Sequence, residues 1–203
     1  LPEKIDDHTA VILVSPALGI PGAYYLKLAE RLCLRNNWIV AVQEQRGQGT
    51  SSWRASSNCD WSYWTPVSQD FDLHLDIIHD AFPKNPIVVM GHSVGAILWS
   101  LWFGRAQIES NPRASWIVGA EFIACGNTYY KVHPAKSLLP YTWVIALLAM
   151  TMGWLSGDIV KFGGPREAKS FMLDWCSTAW YGTIDSRECP HKNIMRHFKQ
   201  VAL

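Results

Sequence analysis

A serine becomes a useful nucleophile only where its hydroxyl stands clear of its neighbours and negative charge on an attacked oxygen meets waiting donors. Gly91-His92-Ser93-Val94-Gly95 has the residue types for both. The pentad follows the apolar run Ile87-Val88-Val89-Met90 and precedes a helical spacing through Ile97, Leu98, Leu101 and Trp102. G-x-S-x-G at a strand-to-helix turn is the setting of a nucleophile elbow. Small residues at 91 and 95 let the turn tighten, and the strained backbone lifts the Ser93 hydroxyl above the sheet edge. The helix start behind it offers free N–H groups and the positive end of the helix dipole. The Val94 N–H is therefore one expected oxyanion donor. The other is expected in the loop after the first strand, Pro16-Ala17-Leu18-Gly19. Pro16 has no N–H, so the Leu18 N–H is the candidate. The competing readings are a tight structural turn at 91–95 and an ordinary strand–helix connection at 16–19.

A serine also needs a base to take its proton and a carboxylate to orient that base. In this arrangement the chain order is serine, acid, histidine, with acid and histidine after later strands. The downstream histidines are His133, His191 and His197, and the weak acid candidates are Asp158, Asp174 and Asp185. None has a strand-end context of the right kind. His92 is expected to turn away from Ser93 and to act as a packing or pocket residue.

The elements that must position these groups are legible as patterns. Residues 10–15, 38–42, 87–90 and 116–124 are short apolar or β-branched runs and predict strands. Residues 23–35, 66–82 and 97–107 carry apolar side chains at helical spacing. Strand and helix alternate, so the expected class is α/β, a mostly parallel sheet with helices on both faces. After residue 126 the character changes. Residues 138–155 are almost wholly apolar, broken by Pro140 and Gly153, and predict a buried or lid helix, a helix on a lipid surface, or a membrane span. A further helix is expected over 165–179 with Pro165 in its first turn, and another over 190–200. The expected division is a core at 1–126 and a helical cap at 127–200.

Composition narrows the rest. The 203 residues are 49% hydrophobic and 17% charged, which excludes an extended disordered chain. A net charge of +1 gives nucleic acid no electrostatic footprint. The five cysteines are scattered and form no C-x-x-C pair, so no metal site is expected. Cys33 and Cys125 sit in apolar sequence, and free thiols suit a reducing, cytoplasmic setting. Nothing calls for a cofactor. Eleven tryptophans, many within 38–64 and 143–180, suggest loops and lids with aromatic walls.

Pro16-Ala17-Leu18-Gly19, Arg46-Gly47-Gln48-Gly49-Thr50-Ser51 and Gly91-His92-Ser93-Val94-Gly95, in that order, resemble the α/β-hydrolases. Within them they look like the serine aminopeptidase-like and lysophospholipase-like branch. The likeness covers about 10–126 well. The middle motif matches a turn that shapes the loop beside the active site. The first departs from the family, many of whose members have His-Gly where this chain has Pro16-Ala17. The resemblance implies ester hydrolysis through an acyl-enzyme on Ser93, a small and apolar acyl or ester substrate, and a helical cap over the site. It also implies last strands missing from this chain, with acid and base beyond Leu203. Residues 193–203 then read as a lead into a fresh strand, within a protein of about 270–300 residues. Two other readings stay open: a hydrolase-like fold used only for binding, and a membrane-associated acyltransferase-like protein.

Overall fold

The computed structural model describes residues 1–2, 4–126 and 128–198. Four parallel strands form one sheet in the order β2-β1-β3-β4. They are β1 (Val11–Ser15), β2 (Ile39–Val42), β3 (Ile87–His92) and β4 (Ile117–Ile123). In β1 every residue is buried, as expected of a strand paired on both edges. β3 alternates between buried and half-buried residues, and no residue of β4 is fully buried.

Crossover handedness distributes the helices. The connection from β1 to β2 runs one way across the sheet, whereas β2 to β3 and β3 to β4 run the other way. Right-handed crossovers must then place α1 (Leu26–Asn36) on one face and α2 (Phe71–Ala81) and α3 (Val94–Glu109) on the opposite one. The packing agrees. Ile12, Val14 and Tyr25 form one buried cluster. Val11, Leu13, Ile87 and Val89 join Phe71, Leu75, Trp99 and Trp102 in a larger one. The direction of winding reverses between β1 and β3. The loops leaving their carboxyl ends therefore part to opposite sides, which opens a crevice there.

The remaining elements differ in part from the sequence expectation. α4 (Leu138–Met152) stops at Gly153, whose φ of 78° closes the helix in the left-handed region. Trp154–Leu155 (β5) then pairs antiparallel with Glu167–Ala168 (β6), around the short α5 (Gly157–Val160). The apolar stretch 138–155 is thus not one continuous helix. The helix expected from Pro165 starts at Lys169, because residues 167 and 168 belong to the ribbon; α6 runs Lys169–Tyr181. α3 begins at Val94, one residue after the serine. A 3₁₀ turn (Gly22–Tyr25) precedes α1 and a π turn (Pro66–Asp70) precedes α2. α7 (Ile194–Phe198) covers part of the expected 190–200 helix; of the lead into a strand expected at 193–203, residues 199–203 lie outside the described residues. All five cysteines are free, and Cys125 is exposed rather than enclosed by apolar groups.

Candidate active site

Ser93 follows the last residue of β3 and adopts φ 53°, ψ −115°. Only glycine takes that backbone without strain. The neighbouring glycines show why the turn is so tight. A Cβ on Gly91 would stand 2.6 Å from the Ala96 Cα, and one on Gly95 would stand 2.5 Å from the Ser15 carbonyl oxygen. Helix α3 therefore starts hard against the end of β1. Trp99 on α3 reinforces this by donating from Nε1 to the Ser15 hydroxyl, 2.7 Å away and fully buried. The Ser93 N–H is used by the Ile123 carbonyl at the end of β4 (2.8 Å).

The loop after β1 is held from three sides. The Tyr25 hydroxyl accepts from the Ala17 N–H (3.0 Å) and lies 2.7 Å from His92 Nδ1. Gln45 Nε2 donates to the Pro16 carbonyl (2.6 Å). Gly19, at φ 71°, is pressed against the Gly163–Gly164 backbone so closely that no Cβ would fit. Gly164 in turn donates its N–H to Glu167 Oε1 (2.5 Å), which also accepts from Gln48 Nε2 (3.1 Å). Burial pushes the Glu167 carboxyl up to about 7, against the pull of those two donors.

Loop and elbow meet at one pocket of about 260 Å³. Ala17, Leu18, Ser93, Val94 and Ile97 line it, together with Phe162 and Trp175 from the α5–α6 region. Neither the Leu18 nor the Val94 N–H has an acceptor among the described residues. For Val94 the reason is structural: the first N–H groups of a helix have no partner within it. His92 lies on the α1 side of the sheet, its ring edge-on to Tyr25.

His133 lines this pocket too, although its sequence position argued against it. Its Nδ1 accepts from the Ala135 N–H (3.1 Å). A neutral His133 so engaged carries its proton on Nε2. A triad base needs the reverse, with Nδ1–H given to the acid and Nε2 free to accept from serine. His191 is occupied elsewhere, 2.9 Å from Glu109. Asp174 is buried, and its oxygens accept from the Tyr63 N–H, the Ser186 hydroxyl and the Arg187 N–H. No histidine reaches it among the described residues. Glu167, Tyr25 and Gly164 carried no motif. Only the crossing of distant segments shows their place beside the loop.

No curated protein matches the chain. Among solved structures it is similar to a monoacylglycerol lipase of Paleococcus ferrophilus (TM-score 0.51, 16% identity, 84% of this chain and 67% of that one). It is also similar to a carboxyl esterase of Bacillus coagulans (0.50, 17%, 98% and 64%). A third similar structure is an extracellular α/β-hydrolase of a Paenibacillus species (0.50, 14%, 79% and 68%). The chain thus spans about two thirds of the length of each. At these identities the likeness is one of fold. A family model described as "Serine aminopeptidase, S33" matches residues 6–155, well over half of the chain, including the loop, the turn and the elbow. The chain belongs to the serine aminopeptidase S33 family of α/β-hydrolases.

Proposed function

We propose that the protein is a serine hydrolase acting on carboxylic esters, with Ser93 as its nucleophile. The observation that carries this is the strained Ser93 opening into a pocket it shares with two unpaired N–H groups, those of Leu18 and Val94. The Ser93 oxygen bonds to the ester carbonyl carbon, and its proton passes to a base. The two N–H groups hold the negative oxygen while the carbon–oxygen bond to the alcohol breaks. The alcohol leaves with a proton, and water then releases the acid from the acyl-enzyme. Phe162 and Trp175 suit an apolar acyl group. The helices α4 and α6 serve as the cap expected after residue 126, and Pro16, Ala17, Gly19, Gly91 and Gly95 shape the loop and the elbow. The five free thiols accord with a reducing, cytoplasmic setting.

The second reading is a binding protein on a hydrolase fold. It is favoured by one observation: no histidine is hydrogen-bonded to Ser93 among the described residues, His133 being engaged by the Ala135 N–H and His191 by Glu109. Imidazole can stand in for a base. We expect a fluorophosphonate to label the chain slowly, and added imidazole to speed labelling. Peptide mass mapping should place the adduct on Ser93, and Ser93→Ala should abolish it. A folded chain that stays unlabelled with imidazole present would establish the binding reading instead.

A further inference from the structure

Helix α4 has no charged residue along its length, and its inner face is well packed: Leu138, Thr142, Ile145, Ala146 and Ala149 are all buried. The opposite face carries Trp143, Val144, Leu147 and Met150, each between 51% and 59% exposed, with Pro140 and Thr151 exposed at its ends. These positions recur at helical spacing and make one continuous stripe. Trp143 stacks on Trp180 at 4.6 Å, and the adjacent Tyr181, 70% exposed, extends the patch. Single exposed apolar residues are ordinary on a protein surface. A stripe of four with an aromatic border is not.

Length decides how such a helix could meet lipid. Fifteen residues rise about 22 Å, short of a hydrocarbon core about 30 Å thick. No helix among the described residues is long and apolar enough to cross a membrane. An uncharged outer face on a helix too short to span suits the plane of the interface, where the apolar side sinks to the level of the first acyl carbons.

The surrounding charge points the same way. Within residues 129–166 the exposed charged side chains are Lys131, Lys136, Lys161 and Arg166 against Asp158. Lys136 directly precedes Ser137, the N-cap of α4. Lys131 Nζ stands 5.8 and 5.9 Å over the Tyr129 and Tyr130 rings. The Tyr141 hydroxyl donates to the Val160 carbonyl, which brings Lys161 beside the first turns of α4. Past the other end, the Arg166 guanidinium lies 4.6 Å over Trp154. Cations thus bracket an apolar stripe at both ends, with aromatic rings beside them. Membrane interfaces attract Lys and Arg together with Trp and Tyr.

We propose that α4 is a lipid-docking surface: it lies flat on an anionic bilayer, with Trp143, Val144, Leu147 and Met150 in the interface and Lys131, Lys136, Lys161 and Arg166 on lipid phosphates. This goes beyond the hydrolytic reading and does not depend on Ser93. The test is co-sedimentation of the chain with vesicles of phosphatidylcholine alone or mixed with phosphatidylglycerol. The expected result is binding to the mixed vesicles that weakens with salt. The triple variant Val144→Ser, Leu147→Ser, Met150→Ser should lose at least about tenfold in partitioning with an unchanged melting temperature. Should that variant fail to fold, Lys131→Glu with Lys136→Glu, both fully on the surface, tests the same idea. Each lysine should count for about fivefold on mixed vesicles. Three results would overturn the proposal: no vesicle binding by the parent chain, undiminished binding by the variants, or a parent dimer in sedimentation equilibrium that the triple variant dissolves.

Discussion

At Gly95 a methyl group would stand 2.5 Å from the Ser15 carbonyl oxygen and 2.8 Å from that of Pro16. Both atoms are backbone and cannot swing aside. Gly95→Ala must therefore push α3 away from β1 or distort the loop, and overpacking of this kind costs about 1–3 kcal/mol. Gly119 is the matched control, since its nearest neighbour would be a Val88 methyl at 3.8 Å. Urea unfolding should show Gly95→Ala destabilised by that amount and Gly119→Ala within about 0.5 kcal/mol of the parent. Equal stability of the two would remove the close approach as the reason for glycine at 95. The pentad was legible because its glycines, its serine and its flanking strand and helix all sit in one short stretch. Tyr25 was not. In sequence it is one apolar member of a helical spacing with Leu28 and Leu32. Its hydroxyl finds Ala17 and His92 only because the 3₁₀ turn before α1 brings it back to the loop after β1 and to the end of β3.

The elements near the loop were legible in proportion to their length. The β3–α3 junction joins an apolar strand to a long apolar helix, and both signals are strong. The β5–β6 ribbon has two residues on each side, too few for any alternation to register, and Pro165 read more readily as a helix start. That ribbon fixes Glu167, which joins Gln48 on the glycine-rich turn to Gly164, the residue seated on Gly19. Its carboxyl is raised from 4.5 to about 7 by burial. Between those two values the folded chain holds a proton that the unfolded chain has lost, so stability should fall as pH rises from about 4.5 to about 7 and then level off. The shift sets the loss at no more than about 3 kcal/mol. Glu167→Gln keeps the acceptor for Gly164 and cannot ionise. We expect it to flatten that slope and to be at least as stable as the parent at pH 8, read from thermal unfolding across pH. A variant whose stability declines through the same window as the parent would show that another group sets the pH dependence.

Over the whole molecule, the change of character after residue 126 suggested a core and a helical cap. One buried cluster runs from Val11 and Leu13 in the sheet through Trp99 and Trp102 on α3 to Ile145, Phe171 and Met172 on α4 and α6. Periodicity could assign each helix an apolar face. It could not show that those faces share one core, because the contacts join segments far apart in the chain. Ion pairs bind the far side in the same way: Arg105 and Arg113 meet Asp72 and Asp76, tying α2 to α3 and to the turn before β4. A shared core predicts one cooperative unfolding transition. Phe171 tests this well, since it is 5% exposed and packs edge-on to Tyr63 at 4.5 Å. Phe171→Ala should cost about 3–5 kcal/mol, and it should do so for the molecule as a whole. Helical circular dichroism and tryptophan fluorescence should shift together along the urea axis, and amides of α3 and α6 should lose exchange protection in parallel. An early transition confined to α4 and α6, with the sheet midpoint unmoved, would mean that the two layers hold separate cores after all.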